Sequence, residues 1–190
     1  MYLMVKFDKE GLRKNLLRKR LGISTSVTSL KSQAIAKQLL AIAKIRNKNN
    51  FSAYLPINNE VDTRKIIDEL IQKGSNIFVP AFLTTNNDYL FTGFDGWQNL
   101  EEGPKGILQP KSFKPIDPSF IEVAILPGLA FSKEGVRLGY GKGVFDKLLS
   151  KSKALRIGLA YDFQIVDEIP QEKHDLVMDL VVTEERVIRL

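Results

Sequence analysis

Cysteine is absent from the 190-residue chain, which removes disulfides, thiolate metal sites and a cysteine nucleophile from consideration. A chain without thiols suits a reducing compartment, and the cytoplasm is the expected location. Histidine occurs once, at His174. With no second His or Cys at ligand spacing, it reads as a surface or structural residue rather than a zinc ligand. Long hydrophobic runs are missing too. The most apolar stretch, Val123 to Phe131, is interrupted by Pro127 and Gly128, and falls far below the roughly 20 residues that a membrane helix needs. The run from Met1 to Phe7 is short, broken at Lys6 and preceded by no basic stretch, so it does not read as a secretion signal. Neither membrane insertion nor export is expected.

What is present is the profile of a globular protein, with 44% hydrophobic and 26% charged residues. The length suits one well-buried core, and a single domain over residues 1–190 is expected. The net charge of +6 is unevenly spread. Residues 1–50 hold twelve Lys and Arg against two acids, Asp8 and Glu10, whereas the remaining 140 residues hold 16 against 20. Such a local excess reads as a solvated helix face, and no nucleic-acid partner is expected. An RNA-binding module built on the first two helices is the rival from a different class.

Hydrophobic periodicity gives the outline. Leu12, Leu16, Leu17 and Leu21 recur at helical spacing behind Asp8, a candidate N-cap. A second helix is expected over 28–45, with Leu30, Ala34, Ile35, Leu39 and Ile42 on its apolar stripe. Phe51 to Leu55 reads as a buried strand ended by Pro56. A third helix over Lys65 to Lys73 follows, with Thr63 as its cap, Ile66, Ile67, Leu70 and Ile71 facing inward, and Gly74 as terminator. Asn76 to Val79 is then a strand stopped at Pro80, completing a βαβ unit. The stretch from Thr84 to Phe120 reads as loops and short strands bordering a cleft, with one strand near 88–92. A second βαβ unit is expected from Val123 to Leu126, a glycine-dense turn, a helix over Val144 to Lys151 and a strand over Leu155 to Ala160. Leu180 to Thr183 and Val187 to Leu190 add further strands. The fold class is therefore α/β, with a mostly parallel central sheet and helices on both faces, and ligands belong beyond the carboxyl ends of its strands.

The stretch LPGLAFSKEGVRLGYGKGVFD, Leu126 to Asp146, carries most of the chemistry. Gly139, Gly141 and Gly143 alternate through the turn, so backbone N–H groups can approach an anion that a Cβ would hold away. Arg137 stands before the turn, Lys142 lies inside it, and the following helix adds its positive end. Asp146 is placed to hold a Mg²⁺ that accompanies a polyphosphate. The spacing matches neither a P-loop nor a dinucleotide fingerprint.

Taken with KEGLR at Lys9 to Arg13 and NNEVDT at Asn58 to Thr63, RLGYGKGVFD at Arg137 to Asp146 resembles the 5-formyltetrahydrofolate cyclo-ligase family. The three blocks stand in that family's order and spacing, and weaker similarity covers about four-fifths of the chain. The resemblance implies a sheet topology shared with sugar-phosphate isomerases and acyl-CoA transferases. It implies an enzyme, acting as a monomer, that uses ATP and Mg²⁺ to close 5-formyltetrahydrofolate to 5,10-methenyltetrahydrofolate, with ADP and phosphate released. Lys9, Arg13 and the run Arg137, Leu138, Gly139, Tyr140, Gly141, Lys142, Gly143, Val144 and Phe145 would hold the nucleotide, with Arg137 and Lys142 acting in catalysis. Lys14, Arg18, Lys19 and Arg20 would stay solvated. Glu60, Leu55, Tyr140 and Phe145 would hold the reduced folate, the carboxylate accepting two hydrogen bonds in the plane of the pterin. Asp175 would join Asp146 at the metal.

Read on its own, Glu60 could equally cap the helix near Thr63, and Phe94 and Trp97 read as core. Two departures from the family pattern bear on folate affinity: Lys105 precedes Gly106-Ile107-Leu108-Gln109-Pro110 where an aromatic residue is common, and Val144 precedes Phe145 where relatives have an aromatic pair. An isomerase or transferase of the same topology, needing no ATP, is a further alternative.

Overall fold

Strand β6 (Val123–Pro127) shows how the sequence builds the molecule. All five residues are buried and alternate between two cores: Val123 and Ile125 face one, Ala124 and Leu126 the other. A strand apolar on both faces belongs in the middle of a covered parallel sheet. In the computed structural model, which describes residues 8–85, 87–172 and 175–190, β6 is the central strand of seven. His174 and the run Met1 to Phe7 lie outside the described residues, as does the side chain of Lys105.

The other sheet strands are β1 (Asn50–Ser52), β2 (Asn76–Leu83), β3 (Asp88–Gly93), β9 (Leu155–Leu159), β11 (Leu180–Val182) and β12 (Val187–Arg189), in the order β12-β11-β9-β6-β1-β2-β3. The five inner strands run parallel, and the edge strands β3 and β12 are antiparallel to their neighbours. Both expected βαβ units are present. Helix α3 (Arg64–Gln72) connects β1 to β2, and α4 (Val144–Leu148) lies on the crossover from β6 to β9. Helices α2 (Thr25–Leu40) and α3 cover the face that carries Phe51, Ile125 and Ile157, while α4 lies against the opposite face with Leu126 and Phe131.

Two small sheets complete the fold. Strands β7 (Ala130–Ser132), β8 (Arg137–Leu138) and β10 (Ile165–Val166) form a three-stranded ribbon on which Leu16 of helix α1 (Lys9–Leu21) packs. Strands β4 (Leu100–Glu102) and β5 (Leu108–Pro110) form a hairpin within the 84–120 stretch. Asp8 caps α1 as expected, its carboxylate accepting from the Glu10 and Gly11 amides.

Several local expectations fail for identifiable reasons. Strand β2 runs through Pro80 to Leu83. The Phe78 carbonyl and the Phe82 amide point toward the β1 side, bonding the Ala53 amide and the Gln109 side chain. Strand alternation aims the Pro80 nitrogen the same way, past the end of β1 at Ser52, where no strand needs its missing donor. Thr63 does not cap α3; its hydroxyl donates to the Tyr54 carbonyl, and Asp62 meets the Arg64 amide instead. Leu21, Leu30 and Ile71, expected to face inward, are exposed. The buried face of α2 is Ser32, Ile35, Ala36 and Leu39, one step round from the assumed stripe. Helix α4 spans only five residues, ending short of Lys151.

One packing detail ties β6 to β9. The buried Phe131 ring lies over two glycines, and a Cβ would meet its atoms at 2.6 Å from Gly128 and 2.4 Å from Gly158. Gly158 has no room to relax, since β9 is bonded on both sides. Gly158→Ala is therefore expected to lower unfolding free energy by about 1–3 kcal/mol through overpacking, read by urea denaturation. Combined with Phe131→Leu, the two costs should sum to more than the double variant shows; strict additivity would contradict the contact.

Candidate functional site

At the carboxyl ends of the parallel strands the chain encloses a cavity of about 610 Å³, of the size that holds nucleotides and cofactors. Its walls come from segments far apart in sequence. Lys9 and Arg13 enter from α1, and Tyr54, Leu55, Ile57, Asn58 and Glu60 from the segment after β1. The whole turn from Arg137 to Asp146 lines the cavity, as do Glu172 and Asp175. Every residue singled out from the sequence for nucleotide, folate or metal thus borders one space. Sequence reading did not anticipate Tyr54, Asn58, Pro80, Tyr89, Pro127 or Glu172 among the lining residues.

The turn is built as its composition requires. Gly141 and Gly143 have φ of +89° and +60°, conformations that residues with a Cβ adopt at a cost. A Cβ on Gly139 would come within 2.9 Å of the Arg137 guanidinium, and one on Gly141 would rest 3.5 Å from that of Arg13. The turn therefore lies against two guanidinium groups. Arg13 Nε donates to the Gly139 carbonyl at 3.0 Å, tying α1 to the turn. Arg137, 8% exposed, donates from Nη2 to Asp146 Oδ2 at 2.7 Å and from Nη1 to the Pro127 carbonyl at 3.3 Å. Its Nε is buried and has no hydrogen-bond partner, while the residue itself borders the cavity. Lys142 is exposed on the cavity wall. The shortness of α4 means that its dipole contributes less to this turn than the sequence implied.

Asp146 also accepts from the Leu176 amide at 3.2 Å. Asp175 Oδ2 bonds Lys9 Nζ at 3.0 Å, and Lys9 reaches Glu172 at 2.8 Å. Burial draws the Lys9 pKa down, but the hydrogen bonds and charges of Glu172 and Asp175 outweigh it and leave Lys9 above its ordinary value. Among the described residues no cluster of three or more acidic, His or Cys side chains forms a metal cage. Mg²⁺ needs no such cage, since it commonly takes one or two carboxylates and completes its shell with phosphate oxygens and water. Asp146 and Asp175 are the carboxylates of the expected pair that border the cavity, each facing a cation, Arg137 and Lys9.

Glu60 forms the polar floor of the cavity, with Arg20 behind it. Asn58 and Asn59 turn the chain left-handed, with φ of 49° and 54°, which asparagine tolerates better than most residues. Glu60 Oε2 accepts from the Ile57 amide at 3.0 Å across this turn. Its carboxylate is thus held by its own loop and does not cap α3. Burial is the chief influence on Glu60 and raises its pKa to about 7, against the opposing pull of Arg20 and the hydrogen bonds from Ile57 and Tyr140. The same burial lifts Tyr54 and Tyr140 above their usual range.

Arg20 overturns an expectation. It was placed on the solvated face of α1, yet it is 1% exposed. Its Nε donates to the Asn58 carbonyl at 2.9 Å, Nη1 to the Gly128 carbonyl at 3.0 Å and Nη2 to the Tyr140 hydroxyl, with Glu60 Oε1 3.8 Å away. The signal was available: Lys9, Arg13, Leu16 and Arg20 are spaced four, three and four apart and share one face of the helix. Lys14 and Arg18 do point outward, and Lys19 lies over the Phe163 ring at 4.6 Å.

A parallel α/β sheet with a cavity at its carboxyl edge is the architecture in which small-molecule sites of α/β enzymes lie. The model of the 5-formyltetrahydrofolate cyclo-ligase family matches residues 5–184. A 5-formyltetrahydrofolate cyclo-ligase of Mycoplasma genitalium is 32% identical over 92% of this chain and 97% of its own length. That of Mus musculus is 26% identical over 93% and 94%. The solved structure of Aquifex aeolicus 5,10-methenyltetrahydrofolate synthetase superposes with a TM-score of 0.84 at 31% identity, covering 95% of this chain and 92% of that one. The chain belongs to the 5-formyltetrahydrofolate cyclo-ligase family and is an enzyme of that ligase class.

The raised pKa of Glu60 has a stability consequence. The native state holds this proton more tightly than the unfolded chain, so Glu60 favours folding fully below pH 4.5 and loses that contribution as pH rises to about 7. Glu60→Gln, which cannot ionise, is expected to remove this part of the pH dependence. Melting temperatures measured from pH 4.5 to 8 should fall less steeply in the variant than in the parent protein; parallel curves would contradict the assignment.

Proposed function

We propose that the enzyme converts 5-formyltetrahydrofolate to 5,10-methenyltetrahydrofolate at the expense of ATP, with Mg²⁺ bound beside the nucleotide. The observation that carries this reading is the joining, in one cavity, of a glycine-built turn flanked by Arg13 and Arg137 with a buried carboxylate at Glu60. The first suits a polyphosphate and the second a planar ring with adjacent N–H donors. The family name of the relatives supplies the substrate class that the carboxylate would meet.

ATP, when bound, supplies a phosphoryl group to the formyl oxygen, making it a leaving group that N10 of the folate can displace. The protein's own residues prepare that event. Arg137 would bring its positive charge to an incoming phosphate while Asp146 keeps its guanidinium in place. Lys142 would bring a positive charge from the cavity wall, and Lys9 would trade Glu172 and Asp175 for phosphate oxygens. Asp146 and Asp175 would hold the metal. Glu60 and Tyr140 would fix the pterin edge, and Leu55 and Phe145 would wall the ring. Ionised Glu60 accepts two hydrogen bonds where the protonated acid accepts fewer, so folate capture should improve as pH rises through about 7.

The reading has the enzyme acting as a monomer in the cytoplasm. Among the described residues no helix is long and apolar enough to cross a membrane. The buried Arg20 and the ion pairs at Lys9 draw two cations away from the basic face that an RNA-binding module would need.

Mixing the protein with Mg·ATP and 5-formyltetrahydrofolate should develop the near-ultraviolet band of the methenyl product, dependent on all three components. Lys142→Ala, an exposed substitution that leaves folding intact, is expected to lower kcat by about 100-fold. Arg137→Lys should lower it comparably while the protein stays folded by circular dichroism. Full activity in both variants would remove the turn from the reaction.

A further inference from the structure

Arg20 is spent on neither solvent nor a simple ion pair. One guanidinium holds the carbonyls of Asn58 and Gly128 and the hydroxyl of Tyr140. It thus joins α1, the loop after β1, the turn after β6 and the glycine-dense turn at a single point. A guanidinium has no acceptor, so Tyr140 must receive a hydrogen bond from it. Asn58 Nδ2 donates to the same oxygen at 3.4 Å. With acceptance committed there, the one phenolic proton of Tyr140 is left to point toward Glu60, whose pKa the hydroxyl lowers as a donor. The Arg20 guanidinium also lies 5.7 Å from the Tyr140 ring centre, within cation–π range.

We propose that Arg20 is a positioning residue for the folate half of the site: it orients the Tyr140 ring and hydroxyl and keeps Glu60 available as a carboxylate for the substrate's N–H donors. This rests on the folate assignment of Glu60 and Tyr140 given above. The guanidinium does not line the cavity, so it acts through these two side chains. Its fork supplies geometry, and its charge opposes the burial that would otherwise keep Glu60 protonated to higher pH. Among the described residues, the charged and titratable groups around Glu60 are Arg20 from α1, Tyr140 from the turn and Tyr54 from the segment after β1; the Tyr161 hydroxyl donates to its backbone carbonyl at 3.2 Å. Arg20 is the single cation among them.

Geometry and charge separate in two variants. Arg20→Lys keeps the charge and loses the fork; Arg20→Gln loses both. The Glu60 carboxyl is followed by ¹³C NMR titration, its resonance identified by its loss in Glu60→Gln, and steady-state kinetics are run against folate and ATP separately. For Arg20→Lys the expected result is a rise of about tenfold in the folate KM with a smaller change in the ATP KM. Its Glu60 midpoint should stay within about half a unit of the parent's. For Arg20→Gln the midpoint should move up by about one unit or more, and the rising limb of folate kcat/KM against pH should move with it.

A folded Arg20→Gln protein with an unmoved midpoint overturns the proposal, as does Arg20→Lys with a folate KM within twofold of the parent's. Loss of kcat and both KM values together, with no change at Glu60, would mark a purely structural role and equally overturn it. If Arg20→Gln does not fold, the Arg20→Lys kinetics alone decide. Should the parent protein fail to cyclise folate, the functional reading falls, and the titration of Glu60 in the two variants still reports whether Arg20 governs it.

Discussion

A guanidinium taken out of water must find acceptors for its N–H groups, and the architecture of this protein is organised around two such groups meeting the end of one strand. Arg137 and Arg20 donate to consecutive carbonyls, Pro127 and Gly128, where β6 leaves the sheet. Gln164 adds two more donors, to Gly128 and Leu129. These carbonyls sit at the carboxyl edge of the central strand and have no further strand to pair with. Left unmet in a buried turn they would be costly, so the segments that satisfy them, α1, β8 and the loop before β10, are drawn to the same place. The cavity is the space those segments leave between them.

This arrangement separates what holds the fold from what equips the site. The two apolar layers on either face of the sheet are made of aliphatic and aromatic side chains with few polar interruptions. Among the described residues, buried charge lies instead at the strand ends, in Glu60, Arg20 and Arg137, with the Gln164 amide beside them. A buried acid and two buried bases in a small volume cost more to assemble than apolar packing of the same size. The protein concentrates that cost where strands terminate, and there it yields an acid poised near neutrality, at about pH 7, and a guanidinium with a donor to spare.

Much of this was legible from the residues. The two βαβ units followed from runs such as Ile66-Ile67 and Val123 to Leu126, the Asp8 cap from its position ahead of the leucine stripe, and the anion-suited turn from the alternation of Gly139, Gly141 and Gly143. What escaped was set by tertiary neighbours. Pro80 breaks a strand only where its nitrogen faces a partner, and here it faces the space past a strand three residues long. Leu30 looked like core because one helical stripe resembles the adjacent one, and burial chose the stripe containing Ser32, whose hydroxyl accepts from the Asp62 amide. Arg20 looked solvated because a basic run of Arg18, Lys19 and Arg20 does not say which of its members turns inward. Only its phase with Leu16 did.

The separations along the chain of the contacts made by α1 bear on when this molecule becomes an enzyme. Arg20 waits for a partner 108 residues downstream, Arg13 for one 126 away, and Lys9 for acids 163 and 166 away. The helix synthesised first therefore docks on segments synthesised late, and such distant contacts are the slow ones to close. A nascent chain stalled before the 170s can complete β1, β2, β6 and their covering helices while the pocket still lacks a wall. Catalytic competence is in this sense a report on the integrity of the whole polypeptide, and a protein shortened through α1 would keep its scaffold longer than its chemistry.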